Sequence, residues 1–146
     1  MAHEILVNGP IKYVCNCKVI PFEGYLAITL FGKVYTRKSA AYIEQYLNTE
    51  RGKRLDRHET WHFNQAKSLS KSKDKPAWFK FYLLYLWWWG KYFFTRFNNR
   101  IAYKTNPFEL EAYNRETDYS NDVSEWEKWK MTNKERKQYF KDRGWR

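Results

Sequence analysis

An α+β fold, mainly helical with an N-terminal β-hairpin or small antiparallel sheet, is what this sequence predicts, on three observations. Residues that favour strands concentrate before position 37, apolar positions recur at helical period after position 39, and short breaks containing Gly, Pro or Asn separate the periodic segments. The chain has 146 residues, enough for one domain with its own core. Within that domain the reading divides 1–37 as β-rich, 39–120 as helical and 121–146 as basic, aromatic C-terminal helices.

Residues 1–20 begin with a short polar lead and the turn signal Asn8-Gly9-Pro10. Ile11 to Ile20 can form a strand carrying Cys15 and Cys17. Phe22 to Arg37 reads more clearly as β structure: Tyr25 to Phe31 is rich in β-branched and aromatic residues, Gly32-Lys33 turns or bulges, and Val34-Tyr35-Thr36 is extended again. Ser39 to Leu47 has helical spacing at Ala40, Ile43 and Leu47, and Asn48 to Gly52 interrupts it. A second helix follows, to about Leu69. The cationic stretch Ser70 to Pro76 is a loop, with Pro76 placed for the first turn of an aromatic helix over Ala77 to Phe94. Asn98 to Thr105 turns the chain. Asn106 and Pro107 then supply an N-cap and an N1 proline for a further helix. Ser124 to Glu127 and Thr132 to Glu135 each read as a capping box, and the last helix stops at Gly144.

Composition narrows the partners without choosing one. Aromatic residues make up 21% of the chain and its formal net charge is +11, so surfaces suited to an acidic partner are expected. Between Lys80 and Lys91 the apolar run is about half the ~20 residues that a spanning helix needs, so no transmembrane span is expected. A core helix is the simplest reading of it, and an in-plane interfacial helix or a docking surface are the others. Cys15 and Cys17 share one face of a strand, poor geometry for a disulfide, and read as reduced thiols. With no recognisable signal peptide at the N-terminus, the expected location is cytoplasmic or within a virion.

The chemistry concentrates in His58-Glu59-Thr60-Trp61-His62. Two imidazoles four residues apart share one helical face and can grip a single ion, with Glu59 placed to take a proton from an attacking water. Leu55, Ala66 and Leu69 fall on the same stripe, so the motif points inward, where unpaired polar groups cost several kcal/mol. The plainer alternative makes Asp56 and Glu59 a capping box, with the imidazoles hydrogen-bonded in a polar patch. Catalytic zinc needs a third protein ligand. Glu109 shares a helical face with Ala112, Tyr113 and Glu116 and is the expected ligand. Glu111 lies nearly opposite, can pair with Arg115, and is the fallback.

HETWH at 58–62, a long intervening helix and FELEAY at 108–113 together resemble the gluzincin metallopeptidases, and in arrangement the CAAX-processing proteases and their small soluble relatives. A looser likeness is to short HExxH proteins of bacteria and phages. The resemblance implies a zincin-like domain holding Zn²⁺ on His58, His62 and Glu109, with Glu59 as general base and Ala112 as the small residue that lets the helices approach. At the position where that group has Asp, this chain has Tyr113.

The function expected is therefore zinc-dependent peptide hydrolysis, with a peptide or protein as substrate and Tyr103 or Tyr113 available to steady the oxyanion. A second expectation is a structural protein of a larger assembly, such as a virion, with a structural or relic zinc site and an aromatic surface for its protein partners. The third is nucleic-acid binding through Lys128, Lys130, Lys134, Arg136, Lys137, Lys141 and Arg143, with Trp126, Trp129, Tyr139 and Trp145 interleaved.

Overall fold

A computed structural model describes residues 4–19, 26–71, 75–96 and 99–144. The β-rich part forms four strands, β1 (Glu4–Asn8), β2 (Ile11–Cys15), β3 (Ala27–Leu30) and β4 (Lys33–Thr36). Their order in the sheet is β1-β2-β4-β3. Both hairpins are antiparallel, although only β3–β4 was expected, and β2 and β4 pair in parallel, so the sheet is mixed rather than antiparallel. Alternation of one strand cannot reveal this, because a parallel neighbour leaves the same period-two burial. Ile11, Tyr13, Cys15, Val34 and Thr36 face inward and Lys12 and Lys33 outward.

Local chemistry fixes the turns. Gly9 takes φ 60° between β1 and β2, while Phe31 and Gly32 take φ 53° and 79° between β3 and β4, the pair of positive values that a two-residue hairpin demands. β1 itself falls where only a polar lead was expected. Ile5 and Val7 stay largely exposed on this edge strand and only Leu6 between them packs on the core, so apolar and polar residues do not alternate between its faces. At the other end of β2, Asn16 turns to φ 60° and ends the strand, leaving Cys17 beyond it and both cysteines free and buried. The expected strand residues 20–25 lie outside the described residues.

The helices are α1 (Ala40–Tyr46), α2 (Glu50–Ser68), α3 (Trp78–Arg96), α4 (Asn99–Lys104), α5 (Pro107–Asn114) and α6 (Asn133–Asp142), with a 3-10 turn at Trp126–Trp129. α2 starts earlier than its HExxH segment implies: Thr49 caps it by accepting from the Gly52 amide, so residues 50–52 belong to the helix. Asp56 is consequently mid-helix and caps nothing; it accepts the Tyr13 hydroxyl from the sheet. Pro76 also lies outside the first turn of its helix. The Ala77 carbonyl accepts the first helical bond, from Phe81, and the Ala77 amide donates back to Ala66 of α2. α4 occupies the segment expected to be a turn. Asn106 and Pro107 start α5, and Thr132 with Glu135 forms a complete capping box for α6. Ser124 forms no such box, because its hydroxyl is drawn to Glu111.

α2 divides the interior. One cluster joins the inner sheet face to Ile43 of α1, to Leu47 just past its end and to Phe63 of α2. The other joins Ala66 of α2 to Phe81, Phe108 and Trp126. Trp61, wholly buried, sits among the tail's anchors: its indole N–H donates to the Arg115 carbonyl, and the guanidinium groups of Arg115 and Arg57 lie 3.7 and 4.8 Å from its ring. Arg57 in turn bonds the Asp118 and Asn121 carbonyls and Asp122, fastening the segment after α5 to α2.

Candidate metal and catalytic site

α2 and α5 meet through His58, His62 and Glu109. Successive turns of α2 present both imidazoles, and their Nε2 atoms lie 3.0 Å (His58) and 2.7 Å (His62) from the same oxygen, Glu109 Oε1. Ala112, on the same face of α5, is completely buried and permits the close approach. A tetrahedral zinc with ligand atoms at about 2.0–2.1 Å holds them roughly 3.3–3.4 Å apart. The two His–Glu109 separations are a few tenths of an ångström shorter than a metal would set, and the three ligand atoms all lie within 4.8 Å of one another, so an ion would have to part Glu109 Oε1 from both rings. The donor set also fits chemically: neutral imidazole nitrogens and a carboxylate are zinc's usual partners.

Supporting groups differ for the two imidazoles. His62 Nδ1 lies 2.9 Å from Gln65 Oε1, and the Gln65 amide nitrogen donates to the Phe108 carbonyl and to Glu111. That fixes His62 by a chain of bonds reaching α5. His58 Nδ1 is buried without a hydrogen bond, with Glu116 Oε2 at 3.9 Å and the Tyr113 ring 4.3 Å from its own. Tyr113 thus covers the ring of His58 and does not bond it. The second oxygen of Glu109 accepts the Tyr85 hydroxyl at 2.9 Å, and Asn106 holds α3 in place by donating to the Tyr85 carbonyl.

Electrostatics follow from burial. Desolvation alone pulls the His62 pKa down, but the Glu109 carboxylate against it reverses that and raises it to about 9. Burial pushes Glu109 the other way, yet the two imidazoles hold its carboxyl well below the usual range. Glu59 is raised: burial outweighs the neighbouring imidazoles and the Thr29 hydroxyl. Burial, then Glu109, keeps the Tyr85 hydroxyl protonated far above its ordinary value.

Glu59 does not join the triad. It lines the same cavity, of about 350 Å³, with His58, His62 and Glu109. β3 provides one wall through Ala27, Ile28 and Thr29, and α3 provides another through Trp78, Phe81, Tyr82 and Tyr85, with Tyr103 beside them. A second hollow of about 500 Å³ shares His58, Glu59 and Tyr103 and extends to Arg51, Arg54 and Glu116. A further hollow, of about 560 Å³, lies across α2 by Asn64 and Tyr119 and contains none of these site residues.

Of the four expected site residues, His58, His62 and Glu109 meet, and Glu59 lines the same cavity without touching them, while Glu111 bonds Gln65, Arg115 and Ser124 instead. No family model, curated protein or solved structure matches this chain.

Gln65, Tyr85 and Thr29 were not foreseen. Gln65 carries a signal in hindsight, three residues after His62 on the same helix. Tyr85 carries none, since nothing separates it from the neighbouring aromatics. The basic tail is reassigned in part: Trp126 is buried against Phe108, and Arg136 is buried with its guanidinium 3.6 Å from the Tyr92 ring. Neither presents itself to a nucleic acid, and Trp145 lies outside the described residues.

Proposed function

We propose that this protein is a zinc-dependent hydrolase acting on peptide bonds. One observation carries the reading: His58 and His62 address a single oxygen of Glu109 from successive turns of α2, with Glu59 on the wall of the same cavity. His58, His62 and Glu109 would hold the ion, which when bound supplies Lewis acidity toward a carbonyl and brings the pKa of water toward about 7.

The chain's own groups do the rest. Glu59 takes the proton of the attacking water and returns it to the leaving amine, and burial, by raising its pKa above the ordinary carboxylate value, helps it hold that proton between the two steps. Tyr85 holds Glu109 Oε2, so that Oε1 stays directed at the imidazoles. Tyr103, on the cavity wall, offers its hydroxyl to the developing oxyanion. Among the described residues β3 is bonded on one side only, to β4, so its other edge is available to an extended peptide. The aromatic wall suits an apolar side chain of that peptide, and Arg51 and Arg54, both exposed, suit an acidic group beyond His58.

Elemental analysis tests the site and turnover tests the mechanism. One zinc per chain is expected, lost in His58→Ala. Glu59→Gln is expected to keep the zinc and to lower hydrolysis of an unfolded protein substrate by about 10²–10⁴-fold. A Glu59→Gln variant that cleaves at the wild-type rate rules the mechanism out.

A further inference from the structure

α3 is apolar on the face turned from the core as well as on the face turned toward it. Phe79, Leu83, Leu86, Trp87 and Phe94 are 77, 54, 60, 66 and 70% exposed. At the helical step, these five positions fall within about 100° of arc. Phe81 and Tyr92, nearly or wholly buried, lie on the opposite side. Surface residues of this size are ordinary when scattered, but a continuous stripe marks a contact surface. Lys80 and Lys91, both exposed, border it on one side, and Lys71 and Lys75, also exposed, precede the helix.

We propose that this stripe lies in the interface of an anionic membrane, with the axis of α3 along the bilayer surface. The helix is not long and apolar enough to cross a membrane. It does have the length, the Trp, Phe and Leu face and the flanking lysines of a helix that lies in the headgroup region. Charge chooses lipid over a second copy. A chain of net charge +11 whose contact stripe is bordered by lysines repels its own kind, whereas anionic headgroups supply the opposite sign. The inference is independent of the hydrolase reading.

Sedimentation with lipid vesicles tests it. Wild-type protein should bind phosphatidylcholine vesicles carrying about a third phosphatidylserine, bind pure phosphatidylcholine at least about tenfold more weakly, and release as salt rises. The triple variant Leu83→Asn, Leu86→Asn, Trp87→Ser changes exposed side chains only, so its circular dichroism and Tm should match wild type while anionic-vesicle binding falls at least about tenfold. Lys80→Glu provides a second variant whose folding is not in question, with binding weakened several-fold. Wild-type protein that leaves anionic vesicles unbound, or a triple variant that binds them as tightly, overturns the proposal. So does a wild-type dimer that the triple variant dissociates, since the stripe then belongs to a second copy.

Discussion

Gln65 links the imidazole of His62 to the buried end of α5, and its cost if lost can be stated. Its side chain contacts no reacting atom, yet it orients the ring and fixes which nitrogen carries the proton. Gln65→Leu should weaken zinc affinity about ten- to a hundredfold while leaving one zinc per chain at saturation, as measured by competition with a chelator. Proton competition gives a second expectation. His62 of the metal-free protein keeps its proton up to a pH of about 9, so an incoming metal must displace it. Zinc affinity should therefore rise about tenfold per pH unit below that value and flatten above it. The metal-free fold has the opposite slope. Because the folded pKa exceeds the ordinary 6.5, the stabilisation from protonated His62 is complete below 6.5 and lost as pH rises through about 9. A Tm that falls between those values in a chelator, and not in zinc, checks the sign.

α2 is the element that the sequence displayed best, because its motif and its apolar stripe agree on which face is inward. The β3–β4 hairpin was legible through Gly32, though its turn is Phe31-Gly32 and Lys33 already belongs to β4, and the start of α5 was legible through Asn106 and Pro107. Illegible features have a shared cause, in that each depends on a partner distant in sequence. Parallel pairing of β2 with β4 leaves no local trace, Ala77 is bound to Ala66 across a loop, and the Ser124 hydroxyl answers to Glu111 rather than to its own turn. Helical angle separated Glu109 from Glu111, and it is Glu109 that meets the imidazoles. Near the start of α2, Gly52 packs against the end of α1, where an added Cβ would lie 1.9 Å from the Tyr46 carbonyl oxygen. That oxygen is backbone and cannot swing aside. Gly52→Ala should destabilise the protein by about 3 kcal/mol or more, read from urea denaturation, with Gly90→Ala as a mild control because nothing lies within 4 Å of the position.

Across the whole molecule, α3 has different work on its two sides. Trp78, Phe81, Tyr82 and Tyr85 wall the cavity, while the opposite stripe is the one proposed to meet lipid. Such an arrangement would turn the cleft away from the bilayer and toward peptides in solution. Glu111 has a comparable reach in the opposite direction. Wholly buried, it accepts bonds from Gln65, Arg115, the Ser124 hydroxyl and the Glu125 amide. Every side chain proposed to hold the metal precedes residue 110, yet the segment after residue 120 reaches them through this carboxylate. Ser124→Ala strips Glu111 of one donor and loosens its hold on Gln65, while Trp126 and Arg136 stay in the core. That variant should still capture zinc, but release it to a chelator about tenfold faster than the wild-type protein.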